Sequence, residues 1–298
     1  MNFKKSFHPY ALITIFFWSL SYVFTRLTLQ YFSAFSLGFL RYIIASGTLL
    51  IISVFVKMKL PDKKDILWFL AAGSMGFFLY MIAFNQGQAT VTAATGSVVI
   101  ATVPVITALF ARFIYREKLM SFQWLAILIE FLGVVVLTLM NSTFSVNTGL
   151  FWLLLAALSL SIYNILQRKL TRKYTALQTS TFSIFLGTCL LAIFAPTALQ
   201  EISHAPAHQY FYLAILGIGS SAIAYISWAK AFSKAKKTSQ VSNYMFVTPF
   251  LTSILGFLIA KEVPDKATLV GGSIILVGVL IFNFGGVFCK HSSPISPI

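Results

Sequence analysis

Runs of roughly 20 apolar residues follow one another along this chain, each closed by a short polar, mostly basic interruption. A run of that length crosses a bilayer as a helix. Breaking the pattern at its polar punctuation predicts ten spans, at approximately 10–29, 34–56, 66–86, 90–111, 121–140, 149–167, 178–199, 209–229, 239–260 and 267–288. The connections between them are too short to hold a soluble domain. The first span follows Lys4 and Lys5 as a secretory leader would, but it lacks a small-residue cleavage site and reads as retained. The predicted fold class is an all-α integral membrane protein with the lipid bilayer as its solvent.

Composition narrows the function classes. Only 10% of the 298 residues are charged and 58% are hydrophobic, whereas a soluble domain carries about 25% charged residues. A water-facing shell needs that charge, so a soluble enzyme, a disordered chain and a fibre are excluded. The formal charge of +15 is distributed by side. With the N-terminus cytoplasmic, 18 basic residues fall in the two tails and the loops after even-numbered spans, against Lys261 and Lys266 in the other loops. This bias predicts an even span number, both termini cytoplasmic and a multi-pass place in the cell membrane. It also explains the basicity without nucleic acid, since no cluster sits in a soluble basic domain. Cys189 and Cys289 form neither a metal spacing nor a disulfide framework. Gly217 and Gly219 imitate a dinucleotide fingerprint, but without a strand–turn–helix context, and no Walker A segment is present. The sequence calls for no cofactor.

The chain also repeats itself. Pro104 precedes Glu117 by 13 residues, and Pro249 precedes Glu262 by 13. The shared offset of 145 carries Gly133 onto Gly278 and Tyr80 onto Tyr225, while an offset of 142 lays Ser33 over Thr175 and Arg26 over Arg168. Two units are expected, 1–145 and 146–290, with 291–298 as a cytoplasmic tail. Five spans is an odd number, so the second unit would enter the membrane upside down, and inverted repeats are a transporter architecture.

The whole pattern resembles the drug/metabolite transporter superfamily, specifically its ten-helix EamA-type exporters. Trp18-Ser19-Leu20-Ser21-Tyr22 is similar to that family's first-helix motif, and Phe39-Leu40-Arg41 to its second-helix arginine. Ala93-Ala94 through Pro104 to Arg116-Glu117-Lys118 resembles the fourth-helix segment. Gly217 to Tyr225 and Trp228, then Pro249 to Lys261-Glu262, resemble the matching parts of the second half. Glu130 departs from the pattern. The resemblance implies export of small molecules and leaves the substrate open.

Candidate residues fall into three groups. Pro104 and Pro249 sit inside apolar spans, where each removes a helical hydrogen bond and frees carbonyls for a cavity or hinge; a harmless kink is the competing reading. Two charged groups lie at membrane depth. Glu130 is read as a proton-coupling site, a counter-charge for an ammonium substrate or a structural acid, and Arg41 as its partner, a contact for a substrate carboxylate, or a residue reaching for the surface. Arg26, nearer the surface, is read as reaching outward. Polar and aromatic side chains, among them Trp18, Tyr22, Tyr80, Asn85, Tyr163, Asn164, Tyr225, Trp228 and Tyr244, suit an aromatic-lined cavity, with interfacial belts as the alternative. Small residues (Ser97 and Ala101 among them) flank Pro104 and allow either close helix approach or volume for a ligand, with close packing the favoured reading. Gly271, Gly278 and Gly285, seven apart, form a seam for a neighbouring helix or a second subunit in a homodimer.

The expected function is secondary active transport of a metabolite, amino acid or drug-like solute, two halves rocking around a solute-sized midplane hollow lined by spans 1, 3, 4, 6, 8 and 9. The alternatives are a facilitative channel or scramblase of the same fold and, at the margin, an intramembrane lipid-modifying enzyme. The last would need clustered acids and histidines that the apolar spans do not contain.

Overall fold

A computed structural model describes residues 6–116, 119–140, 148–235 and 238–290. Every regular element among them is helical. The rods are α1 (His8–Thr28), α2 (Ala34–Phe55), α3 (Lys63–Gln88), α4 (Ala93–Ile114), α5 (Ser121–Met140), α6 (Thr148–Leu170), α7 (Ala176–Ser203), α8 (Ala207–Lys234), α9 (Gln240–Ala260) and α10 (Lys266–Lys290). Among the described residues, eight helices are long and apolar enough to cross a membrane. In α5 and α10 the apolar stretches found among the described residues are Ser121–Gly133 and Lys266–Phe282. Several sequence landmarks lie outside the described residues: Lys4, Lys5, Glu117, Lys118, Lys236, Lys237 and the tail 291–298.

Local chemistry explains where the rods start and break. Ser33, Thr92 and Thr175 cap α2, α4 and α7, each hydroxyl accepting from a backbone N–H three residues on, and Gln178 completes a capping box with Thr175. α4 is discontinuous. Its first half ends at Ile100 and its second starts at Val103, with Pro104 in the first turn, where a missing N–H costs nothing. Pro249 holds the same place at Thr248–Leu255, after the 3₁₀ segment Asn243–Val247. The prolines therefore start new helical segments instead of kinking continuous ones. Near the α4 break, Ser161 of α6 donates to the Val103 carbonyl at 3.2 Å, satisfying a backbone acceptor at membrane depth.

Local features recur at the repeat spacing. The caps Ser33 and Thr175 correspond, and Arg116 and Lys261 both end their helices with left-handed backbone, at φ 55° and 57°. Wide π-helical turns interrupt α3 at Ser74–Leu79 and α8 at Ile215–Ile223. In the first, Gly76 lets the α6 tyrosine press on backbone: a Cβ there would lie 2.4 Å from Tyr163 Cδ2.

The core is aromatic. Trp18 stacks obliquely against Trp228 and Tyr225 at 4.9 and 5.2 Å, and Phe77 meets Tyr225, Tyr163 and Tyr42 at 4.8–5.2 Å. α5 and α10 pack along their length at the side of this core. Gly278 receives Glu130 and Gly285 receives Phe122, while the Gly271 carbonyl abuts Gly133. Of the two readings of the glycine seam, a neighbouring helix or a second subunit, a helix of the same chain occupies it here.

Candidate functional site

Midway along the helices, seven rods converge on a small enclosed chamber. Its walls are Trp18, Ser21 and Tyr22 of α1, Arg41 of α2, Tyr80 of α3, Ser97, Ile100 and Ala101 of α4, Leu160 of α6, Tyr225 of α8, and Met245 and Thr248 of α9. The six predicted rods contribute, and α2 joins them through Arg41. The free volume is about 10 Å³, the minimum for one water. The expected solute-sized hollow is therefore not open in the structure, where the aromatic side chains leave only this space.

Arg41 is 2% exposed, and its Nε donates to Ser221 Oγ at 2.6 Å. The expected tie to Glu130 is absent. Glu130 points from α5 into the seam with α10, buried and with neither oxygen bonded. It lines no part of the chamber. Sequence position placed both residues at membrane depth but gave no azimuth, and helix face decides which charges meet.

Five of the twelve predicted cavity residues line the chamber: Trp18, Tyr22, Arg41, Tyr80 and Tyr225. The others have different duties. Asn85 donates to the Ala34 carbonyl at 2.8 Å and so fixes the start of α2. Asn164 accepts from Trp228 Nε1 at 3.2 Å and reaches Thr107, so the pair braces α6 against α8 behind the chamber. Tyr163 is buried against Gly76 and Phe77. Tyr244 sits at the basic end of the bundle with His8, whose Nδ1 it contacts. Pro104 is buried within the α4–α6 packing, and Pro249 flanks a separate groove beside α10.

Thr248 and Ser21 were missed as wall residues, and Ser97 and Ala101, for which packing was favoured over ligand volume, line the chamber too. Thr248 and Ala101 adjoin the two proline-marked breaks, which was the available signal. Small side chains beside a helix break face a void as readily as a partner.

The two ends of the bundle are closed differently. At the end of α1, Arg26 Nε pairs with Glu262 Oε1 at 3.2 Å, and Arg26 Nη1 donates to the Gln88 and Ala89 carbonyls. Glu262 Oε2 in turn accepts from Ala93 N at 2.9 Å, at the start of α4. This clasp replaces the outward-reaching Arg26 expected from sequence. At the other end, Lys173 bonds Asp62 and Asp65, and Asp65 also accepts from Tyr174 at 2.5 Å, tying the α2–α3 linker to the α6–α7 linker. Those bonds hold the Lys173 ammonium above the usual lysine range. The same bonds hold Asp65 below the usual carboxylate range, so the cluster loses stabilisation only as pH falls through the carboxylate range or rises past the ordinary lysine pKa, and it does not vary around neutrality. No group of three or more His, Cys, Asp or Glu able to hold a metal occurs among the described residues.

The family model for EamA-like transporters matches residues 6–139 and again residues 147–284. The chain is 31% identical over 268 residues to the "Uncharacterized transporter YdfC" of Bacillus subtilis, covering 90% of this chain and 87% of that one. It is 25% identical to a "Probable terminal-alkyne amino-acid exporter" of Streptantibioticus cattleyicolor, with 94% of each covered. It is 26% identical to an "S-adenosylmethionine uptake transporter" of Rickettsia prowazekii, with 87% of each covered. A solved crystal structure superimposes with TM-score 0.63 at 18% identity, covering 95% of this chain and 98% of that one, which shows a shared fold. The chain is a multi-pass membrane transporter, not an enzyme, and belongs to the EamA-like transporter family.

Proposed function

We propose that this transporter exports a small solute by alternating access, with two inverted five-helix halves, 1–145 and 146–290, moving about the aromatic chamber. Ten crossings and two cytoplasmic termini belong to this reading. The observation that carries it is the chamber itself: a buried polar and aromatic void halfway along the helices, walled by rods of both halves. The twofold family match and the paired local features at Ser33 and Thr175, Pro104 and Pro249, and Arg116 and Lys261 support the duplication. A central site between broken helices is where inverted-repeat carriers bind. Relatives named for amino-acid export and for S-adenosylmethionine uptake support a metabolite cargo. The shut chamber corresponds to an occluded state without cargo.

The test is counterflow in liposomes containing the purified full chain. Saturable uptake that is accelerated by the same solute inside supports a carrier. Uptake linear in concentration with no acceleration means a pore, and lipid flip-flop without solute flux means a scramblase.

A further inference from the structure

The charge balance of the chamber is incomplete. Arg41 is a permanent cation at the centre of the helices, yet one side-chain donor bond, from Nε to Ser221, is its whole hydrogen bonding among the described residues. The described carboxylates are committed elsewhere. Asp62 and Asp65 hold Lys173, Glu262 holds Arg26, Glu201 accepts from Ser33 N, and Asp265 caps Thr268, while Glu130 lies in the α5–α10 seam. A buried cation without an anion is costly, and in membrane proteins such a residue marks a ligand or a relay. Thr248, on the α9 wall of the same chamber, gives an independent sign. Its hydroxyl is buried and has no hydrogen-bond partner, which is also unfavourable unless a ligand completes it.

We infer that the cargo carries one carboxylate, which accepts from the free guanidinium edge of Arg41 and from Thr248, while its apolar or aromatic body lies between Trp18, Tyr22, Tyr80 and Tyr225. This rests on the transport reading above and names its substrate class. One guanidinium balances one negative charge, and its planar fork matches a carboxylate in two-point contact. A phosphate carries more charge than this chamber can neutralise. The aromatic walls accept a flat apolar body, and their faces also accept an ammonium, so zwitterionic amino acids fall within the class.

Matched probes test the inference on the wild-type chain before any substitution. 3-Phenylpropionate and L-phenylalanine are compared with 3-phenylpropionamide and phenylalaninamide, by thermal shift in detergent and by counterflow in liposomes. The carboxylates should bind at least about tenfold more tightly than their amides, a difference of about 1.4 kcal/mol. Arg41→Gln should erase that preference, Arg41→Lys should keep part of it, and Thr248→Val should weaken the carboxylates several-fold without affecting the amides. Equal binding of acid and amide by the wild type, or an undiminished preference in Arg41→Gln, overturns the carboxylate assignment. If Arg41→Gln does not fold, the acid–amide comparison on the wild type decides alone. Saturable counterflow of amides alone would sink this inference and leave the carrier standing, whereas a folded protein that moves no solute in a broad panel would sink both.

Discussion

Single side chains here divide between those facing the chamber and those bracing it, and the division can be tested residue by residue. Glu130 is on the bracing side. Exchanging its carboxyl for an amide of the same shape leaves the α5–α10 packing in place, so Glu130→Gln should retain wild-type flux and its pH dependence. Counterflow at two pH values checks this, and loss of pH dependence would return Glu130 to the transport path. Trp228 braces differently. Trp228→Phe removes the one hydrogen bond that Asn164 Oδ1, a buried acceptor, receives among the described residues. A loss of about 1–3 kcal/mol in unfolding free energy should follow, measured by denaturation in detergent. Arg41 shows why residue roles were half legible. Its depth could be counted along the helix, but its partner depends on rotation about the helix axis, and nearly uniform apolar flanks gave no moment to fix that rotation.

At the scale of elements, α5 and α10 approach each other backbone to backbone. A Cβ on Gly278 would stand 2.5 Å from Glu130 Cγ and 3.0 Å from backbone atoms of α5, and backbone cannot move aside as a flexible side chain can. Gly278→Ala should therefore destabilise the protein by about 1–3 kcal/mol, read as a lower midpoint in thermal unfolding, while Gly47→Ala, with open space around it, should not. The helical class and the apolar runs were legible in the sequence because membrane length and hydropathy fix each run almost independently of its neighbours. Helix interruptions were not. Proline announced the breaks at Val103 and Thr248, but the π-helical turns of α3 and α8 depend on tertiary packing around Gly76 and Gly219 and carry no local signature.

For the whole molecule, the question is what holds the chamber shut. The Arg26–Glu262 clasp joins α1, the end of α3, the start of α4 and the α9–α10 linker, and Glu262 serves two of those connections at once. Glu262→Gln weakens the charge contact but keeps an acceptor for Ala93 N, whereas Glu262→Ala removes both. A cysteine placed at Ser21, in a background lacking Cys189 and Cys289, should react several-fold faster with an impermeant maleimide applied from the clasp side in Glu262→Ala, with Glu262→Gln between it and the parent. Equal rates would mean that the clasp does not limit access.

The water-sized chamber also bears on what the resting protein does to its host. With rings and aliphatic chains leaving the chamber room for about one water, the described residues hold no file of water through it, and protons and sodium ions have nothing to hop or diffuse along there. A cell could therefore keep many idle copies in its envelope without short-circuiting the voltage that powers its other pumps.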